Sequence, residues 1–458
     1  MSRSNKIYFL IIFLFFIGSC FAQDNQERVK VEIKTAKGCK YVEYTLPARV
    51  ENSTNSKVTW TGKCVDEYIQ GDGILTIDRP EGVHEEFQGT YDHGCENGFI
   101  KSFSTSAKGT VKFVGQYSNC SRTQGKFEFE NSVSKDKSYI YEGSFKNGKF
   151  FGVGKVIHGN GSELMGNFVD GKIQGNGTIR YSEGSTYLGE IKNSLPDGIG
   201  KLTYKNGDVF DGNLREGKLN GYGKLVRVNS SVIEGYWLNG NLQDGAKTTF
   251  GGGNSYTGSY SGLLPHGEGI YSFVDGNIYI GSFVNGMFDG KGTLQYANGD
   301  TYEGDFARNK RTGRGTYTWK SGKTTSGYFI DGILDGMATE KFPNGDVING
   351  LYKDGNKEGW WTIKSANGTT AYANFEGGQR VDVDSRSSME PSNQSNANKA
   401  IATMNCNIYA KNMTSDQRIV APPGKADGLS FLSMMLQSYS IEDNKKSLFD
   451  SCMKGYGF

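Results

Sequence analysis

Residues 279–306, YIGSFVNGMFDGKGTLQYANGDTYEGDF, decide how this chain reads. Tyr279, Gly281 and Phe283 alternate with Ile280 and Ser282, which is the period of a β-strand. Asn285-Gly286 follows, a pair that tolerates the positive φ of a tight hairpin turn. Gly292, Leu294 and Tyr296 then share one face of a second strand. Asn298-Gly299 turns the chain again, and Tyr302-Glu303-Gly304-Asp305-Phe306 restarts the pattern. The unit is a β-hairpin, and Gly281 and Gly304 stand 23 residues apart.

Working outward, the same glycine recurs every 23 residues from Gly143 to Gly350, ten times in all. Two residues before it stands a large apolar residue in most units, as in Tyr141, Tyr187, Phe210, Tyr256, Tyr279 and Tyr302. Two residues after it come Phe145, Phe168, Trp237, Phe283, Phe306 and their equivalents. Two more glycines follow at offsets nine and eleven, and apolar residues at thirteen and fifteen, as in Leu294/Tyr296 and Tyr317/Trp319. Successive hairpins are expected to pair edge to edge in one antiparallel meander. A glycine inside a strand ordinarily weakens a sheet. Flanked by rings, it leaves a slot into which a ring can fold over the backbone. This pattern accounts for much of the glycine excess, 65 of 458 residues against 8 prolines. Collagen needs proline beside a three-residue glycine period and is excluded. An aromatic content of 13% argues against a disordered chain.

Tyr302-Glu-Gly-Asp-Phe306 followed by Gly313-Arg-Gly315, and Tyr279-Ile-Gly-Ser-Phe283 followed by Gly290-Lys-Gly292, resemble MORN (membrane occupation and recognition nexus) repeats. The resemblance implies an elongated, twisted, single-layer β-meander that serves as scaffold or binding surface. Family roles include membrane association, phospholipid contact and protein tethering. The stretch from Gly38-Cys39 to Trp60-Thr-Gly62-Lys-Cys64 resembles the N-terminal end of secreted bacterial MORN proteins.

Some units depart from the pattern. Offset eleven is Ala246, Ala338 and Trp361 in three of them, Asp244 replaces a glycine at offset nine, and Thr325 replaces the leading aromatic. Ala373 stands where the next repeat glycine would fall. Upstream, Trp60-Thr-Gly62, Phe87-Gln-Gly89 and Phe113-Val-Gly115 open looser units.

The whole chain divides accordingly. Residues 1–22 read as a secretion signal, with Arg3 and Lys6 before the apolar run Ile7–Ile17 and small residues before a cut after Ala22. Ile17-Gly18-Ser19-Cys20 offers an alternative, a lipobox with Cys20 as the lipidated N-terminus. Residues 23–59 are a lead-in, 60–142 irregular repeats with cysteines, and 143–379 regular repeats. A Ser/Asn-rich linker covers 380–397. Residues 398–458 follow helical spacing through Leu429, Leu432, Leu436 and Tyr439, as a cap or separate module. The expected fold class is mainly β, a single-layer antiparallel meander of repeated hairpins with a small helical C-terminal segment.

Six cysteines follow Ala22, and in an oxidising compartment they are expected to pair. Cys95 and Cys120 fall at offsets six and five of adjacent units, which suggests a bridge between neighbouring rungs. Cys39 with Cys64 and Cys406 with Cys452 are the remaining candidate pairs.

Little points to catalysis. His84, His93, His158 and His266 are scattered, with no metal-ligand spacing. The Gly-x-Gly pairs recur in nearly every unit without a following helix, unlike a phosphate loop. Asp289, Asp300 and Asp305 recur with the period and read as solvated turn residues, not as a hydrolase pair. The formal net charge of +2 gives no basic field for nucleic acid. The expectation is a non-enzymatic exported scaffold, without cofactor or metal, that binds a protein partner or a second copy of itself. Its contact residues are expected among Tyr279, Phe283, Tyr302, Phe306, Tyr317 and Trp319. The alternative is a membrane-surface or phospholipid-associated lipoprotein of the cell envelope.

Overall fold

The computed structural model describes residues 29–45 and 53–381, together with Thr403. The signal segment with Cys20, most of the 380–397 linker, the 398–458 segment apart from Thr403, and the Cys406/Cys452 pair lie outside the described residues. The chain divides between Leu242 and Gln243 into two units.

In the first unit, the lead-in contributes a hairpin of its own, β1 (Val29–Lys34) with β2 (Lys40–Thr45). Next come β3 (Lys57–Trp60), β4 (Lys63–Val65), β5 (Tyr68–Asp78), β6 (His84–Asp92), β7 (Cys95–Ser106), β8 (Gly109–Ser118) and β9 (Ser121–Asn131). Strands β5 to β9 pair consecutively and antiparallel, and they form the irregular repeats. Hairpin β1–β2 joins β5 through one parallel pair, Lys40 opposite Tyr68. The regular hairpins follow from Tyr139–Lys146 with Lys149–His158 onward. Both cysteine pairs sit at disulfide distance, with Cα atoms 5.8 Å apart for Cys39 and Cys64 and 4.6 Å for Cys95 and Cys120.

The second unit repeats the hairpin, for example Ile278–Val284 with Met287–Gln295, then Thr301–Ala307 with Lys310–Thr318. Within each unit the pairing is the expected antiparallel meander. Repeat glycines face each other strand after strand. Gly258, Gly269, Gly281, Gly292, Gly304, Gly315 and Gly327 form one row across the second unit.

The aromatic residue two places before each repeat glycine lies over this row. The Tyr279 ring covers Gly281 and Gly292 so closely that a Cβ on Gly292 would come within 2.5 Å of Tyr279 Cε2. Tyr302 covers Gly304 and Gly315, Tyr256 covers Gly258 and Gly269, and Phe210 covers Gly212 and Gly223 in the same way. The register shifts between Gly281 and Phe283, and the Ser282 carbonyl within that shift accepts the Tyr279 hydroxyl at 3.0 Å. Tyr141, Tyr187 and Tyr256 make the equivalent bond at 2.7–2.8 Å. A buried tyrosine hydroxyl is thereby satisfied by its own strand. The glycine at offset nine meets a backbone requirement instead. Gly290 and Gly313 adopt φ of +108° and +58°, which side chains rarely take.

The irregular units obey the same steric rule. All six regular units with an aromatic residue before the repeat glycine keep glycine at offset eleven. Where Ile233 and Thr325 stand instead, Ala246 and Ala338 occupy that offset, because no ring needs the space. In the unit of Gly350 the arrangement is reversed: Trp361 brings its indole from the second strand and lays it over Gly350.

Side chains also staple one hairpin to the next at both ends of the strands. Asn254, Asn277, Asp300 and Asp346 each accept the backbone N–H of the residue twenty positions ahead, at 2.8–3.0 Å. At the opposite ends, Asp289 and Asp335 accept the N–H nineteen positions ahead, from Arg308 and Asp354. Asp300 is therefore not a solvated turn residue. It is 8% exposed, and the Tyr317 hydroxyl and the Lys320 N–H hold its carboxyl below the ordinary value.

Gly292→Ala is expected to cost about 1–3 kcal/mol in urea unfolding, because the new methyl group overpacks the Tyr279 ring. In a Tyr279→Ile background the same change should be nearly neutral, as the native Ile233/Ala246 pair shows. Additive costs in that double-mutant cycle would refute the steric coupling.

Candidate functional site

The rings singled out from the sequence occupy two environments. Tyr279, Phe283, Tyr302 and Phe306 are at most 4% exposed and form one cluster with Tyr256, Phe288 and Phe329. Tyr279 stacks on Phe288 with centroids 3.9 Å apart and meets Phe283 and Phe306 edge-on at 5.2 and 4.9 Å. Offset and edge-on contacts of this kind suit the ring quadrupoles. These four side chains are core. Tyr317 and Trp319, at offsets thirteen and fifteen, are only half-buried and meet edge-on at 4.7 Å.

Offset fifteen carries a column of half-buried rings through the second unit: Phe250, Phe273, Tyr296, Trp319 and Phe342. The period contained this column, but it does not separate such rings from the buried ones on either side of the repeat glycine. Burial depends on which ring lies over glycine and which overhangs the strand end.

A groove of about 490 Å³ opens beside this column. Tyr271, Phe273, Phe288, Leu294 and Phe306 line its apolar part, with Lys310 and Arg311 at the polar part. Arg311 lies 5.4 Å from the centroids of both Tyr302 and Phe329, and its Nη2 donates to the Gly332 carbonyl at 2.7 Å. The guanidinium is thus fixed by cation–π contact and a backbone bond. The groove is mixed in character, with aromatic rings on one part and Asn309, Lys310 and Arg311 on the other.

Next to it, Glu340 occupies an offset that is apolar in most units. It pairs with Lys323 at 3.2 Å and Lys357 at 3.0 Å, and it accepts the Tyr352 hydroxyl at 2.5 Å. Burial pushes its carboxyl up, but the bonds from Tyr352 and Lys357 outweigh this and hold it below its ordinary value. Lys323 rests over Trp319 at 4.7 Å and Lys357 over Trp361 at 4.5 Å. Sequence reasoning missed this cluster. Its signal was a carboxylate at a core offset in the unit where Thr325 replaces the leading ring.

The sequence-derived carboxylates are engaged structurally. Asp289 and Asp300 staple hairpins, and Asp305 accepts the Arg314 N–H at 3.1 Å. Among the described residues, no three His, Cys, Asp or Glu side chains stand close enough to hold a metal ion. His84 and His93 each bond a neighbouring aspartate at 2.7 Å. Among the described residues, no helix is long and apolar enough to cross a membrane.

Eight segments match the MORN repeat family: residues 141–163, 165–186, 187–209, 210–232, 256–278, 279–301, 302–324 and 326–347. The chain therefore contains MORN repeats. The gap at 233–255 coincides with the Ile233/Ala246 unit. A search of the curated proteins found no match. Among solved structures, the chain is similar to the wild-type TCP10 domain of Danio rerio CPAP, at 15% identity and a TM-score of 0.27. That alignment covers 49% of this chain and 96% of the other. A point mutant of the same domain aligns over the same shares at 11% identity and a TM-score of 0.22. Likeness at these scores leaves the fold to rest on the chain's own geometry.

Burial pushes the hydroxyls of Tyr141, Tyr187 and Tyr256 up to about 12. An unfolded tyrosine ionises near about 10, so this stabilisation is complete below pH 10 and is lost as pH rises toward 12. Tyrosinate absorbance and loss of β circular dichroism should rise together across that window. Ionisation of these rings near pH 10 with the sheet intact would contradict the assignment.

Proposed function

We propose that this chain is a non-catalytic, exported repeat scaffold that captures a protein partner on the ring-lined face of its second unit. The observation that carries the reading is the groove beside Phe273, Phe288 and Phe306, with overhanging rings at Phe250, Phe273, Tyr296 and Trp319 next to it. Exposed aromatic surface fixed on a rigid sheet offers large contact area at low ordering cost, as binding hot spots do. Of the expected contact set, Phe306 lines the groove and Tyr317 and Trp319 are half-buried, while Tyr279, Phe283 and Tyr302 belong to the buried cluster. Export is favoured by the signal-like residues 1–22 and by two cysteine pairs at disulfide distance.

A second reading, a lipoprotein of the cell envelope, is favoured by the lipobox-like Ile17-Gly18-Ser19-Cys20. Mass spectrometry of the mature N-terminus distinguishes them: Gln23 for simple secretion, acylated Cys20 for the anchor.

The double variant Phe273→Ala/Trp319→Ala should unfold within a few degrees of the wild type yet lose at least about tenfold in capture of its partner from the native envelope. Tyr279→Ala should instead lower stability first. Undiminished capture by the surface double variant would overturn the assignment of this face.

A further inference from the structure

Hairpin β1–β2 rests on the first repeats through a buried acid. Glu96, the second residue of β7, is 3% exposed, and its Oε1 accepts the Tyr41 hydroxyl of β2 at 3.4 Å. It stands opposite Tyr91 of β6, itself 1% exposed, whose hydroxyl has no hydrogen-bond partner. Tyr41 and Glu43 of β2, Tyr91 and Glu85 of β6, Tyr117 of β8 and Arg122 of β9 are the titratable and charged groups around this site. Few of them can neutralise a carboxylate at Glu96. Arg79, in the β5–β6 turn, is held by Glu43 at 3.1 Å and Glu85 at 2.7 Å. Arg122 directs its Nε to the Tyr117 hydroxyl at 2.8 Å and lies over the Phe113 ring. The backbone around Glu96 is also the seam of the hairpin. Val42 N–H donates to the Gly94 carbonyl at 2.9 Å, Lys40 N–H to the Glu67 carbonyl at 2.6 Å, and Cys120 N–H to the Glu96 carbonyl at 3.2 Å.

We propose that Glu96 is a pH-sensitive latch: as a neutral acid it seats hairpin β1–β2 on the first repeats, and as a carboxylate it loosens that contact. The neutral carboxyl accepts from Tyr41 and brings no charge into a site that is shut away from water, so it is far cheaper to bury than the carboxylate. The carboxylate is a buried charge without a full ion pair, which costs heavily unless water enters. The disulfide-distance pair Cys39/Cys64 keeps the loosened hairpin tethered, so the change is local opening and not loss of the segment.

The direction in pH follows from the burial. Burial pushes the Glu96 carboxyl up to about 7. A glutamate freed to solvent titrates near about 4.3. The seated hairpin therefore holds a proton that the open one gives up. Seating is complete below about pH 4.3, weakens as pH rises, and stops changing above about 7.

Hydrogen exchange of the oxidised full-length protein, read at the Lys40 and Val42 amides and corrected for intrinsic rates, tests this. Opening should rise by nearly tenfold per pH unit between about 5 and 6.5 and level off above about 7, the slope for one proton. Amides of the hairpin Ile278–Val284/Met287–Gln295 should show no such slope. E96Q, which keeps the size and a donor but cannot ionise, should give a seated hairpin at every pH. A flat profile in the wild type would overturn the latch whether or not E96Q folds, and so would a slope that survives in E96Q.

Discussion

One contact governs the regular part of this protein: an aromatic ring laid flat over a pair of glycines that face each other across two strands. Neither partner works without the other. The ring cannot reach the backbone if either position carries a Cβ, and the glycines would weaken the strands if no ring filled the gap. Because the pair spans two strands and the ring touches the next hairpin's ring edge-on, each contact also orients its neighbour. The repetition of the sequence is the repetition of this contact, and wherever offset eleven is no longer glycine the leading aromatic residue is absent as well. Ile233 goes with Ala246, Thr325 with Ala338, and Trp361 supplies the ring from the other strand.

Two supporting devices follow from the same geometry. The tyrosine that covers the glycines needs somewhere to put its hydroxyl, and the shifted register beside the repeat glycine presents a carbonyl at hydrogen-bond distance. At the strand ends, where the rings no longer reach, Asp and Asn side chains accept N–H groups from the following hairpin. The contacts that hold one repeat to another are therefore apolar along the middle and charge-assisted at the margins. Such nearest-neighbour contacts suit an array whose stability is a sum over adjacent repeats.

The same arrangement separates scaffold from surface. Rings over glycine are withdrawn from solvent, whereas rings at offset fifteen overhang the strand ends and remain half-exposed beside the groove. The irregular N-terminal repeats also lay Trp60 and Phe113 over glycines, and this end of the chain adds two cysteine pairs and a buried carboxyl at Glu96. Glu340 is a further departure, a carboxylate at an offset that is apolar in most units, paired with two lysines that pack on indoles.

The period of 23, the hairpin turns and the alternation within each strand were legible in the residues, because glycine spacing and ring position are local and repeat ten times. The pairing of Cys95 with Cys120 was legible from their places in adjacent units, and Cys39 with Cys64 followed as a remaining candidate pair. The sequence by itself thus determined a meander of ring-and-glycine hairpins. It could not say that Asp300 is buried as a staple, because a turn aspartate looks the same whether or not an N–H twenty residues ahead meets it. Nor could it join Tyr41 to Glu96, 55 positions apart in a non-repeating region. Only the tertiary structure decided which rings are core, which are surface, and where a carboxyl is shut away from water. Those outcomes depend on what lies over a side chain, and that is set by the register of neighbouring strands, not by the residue's own place in the period.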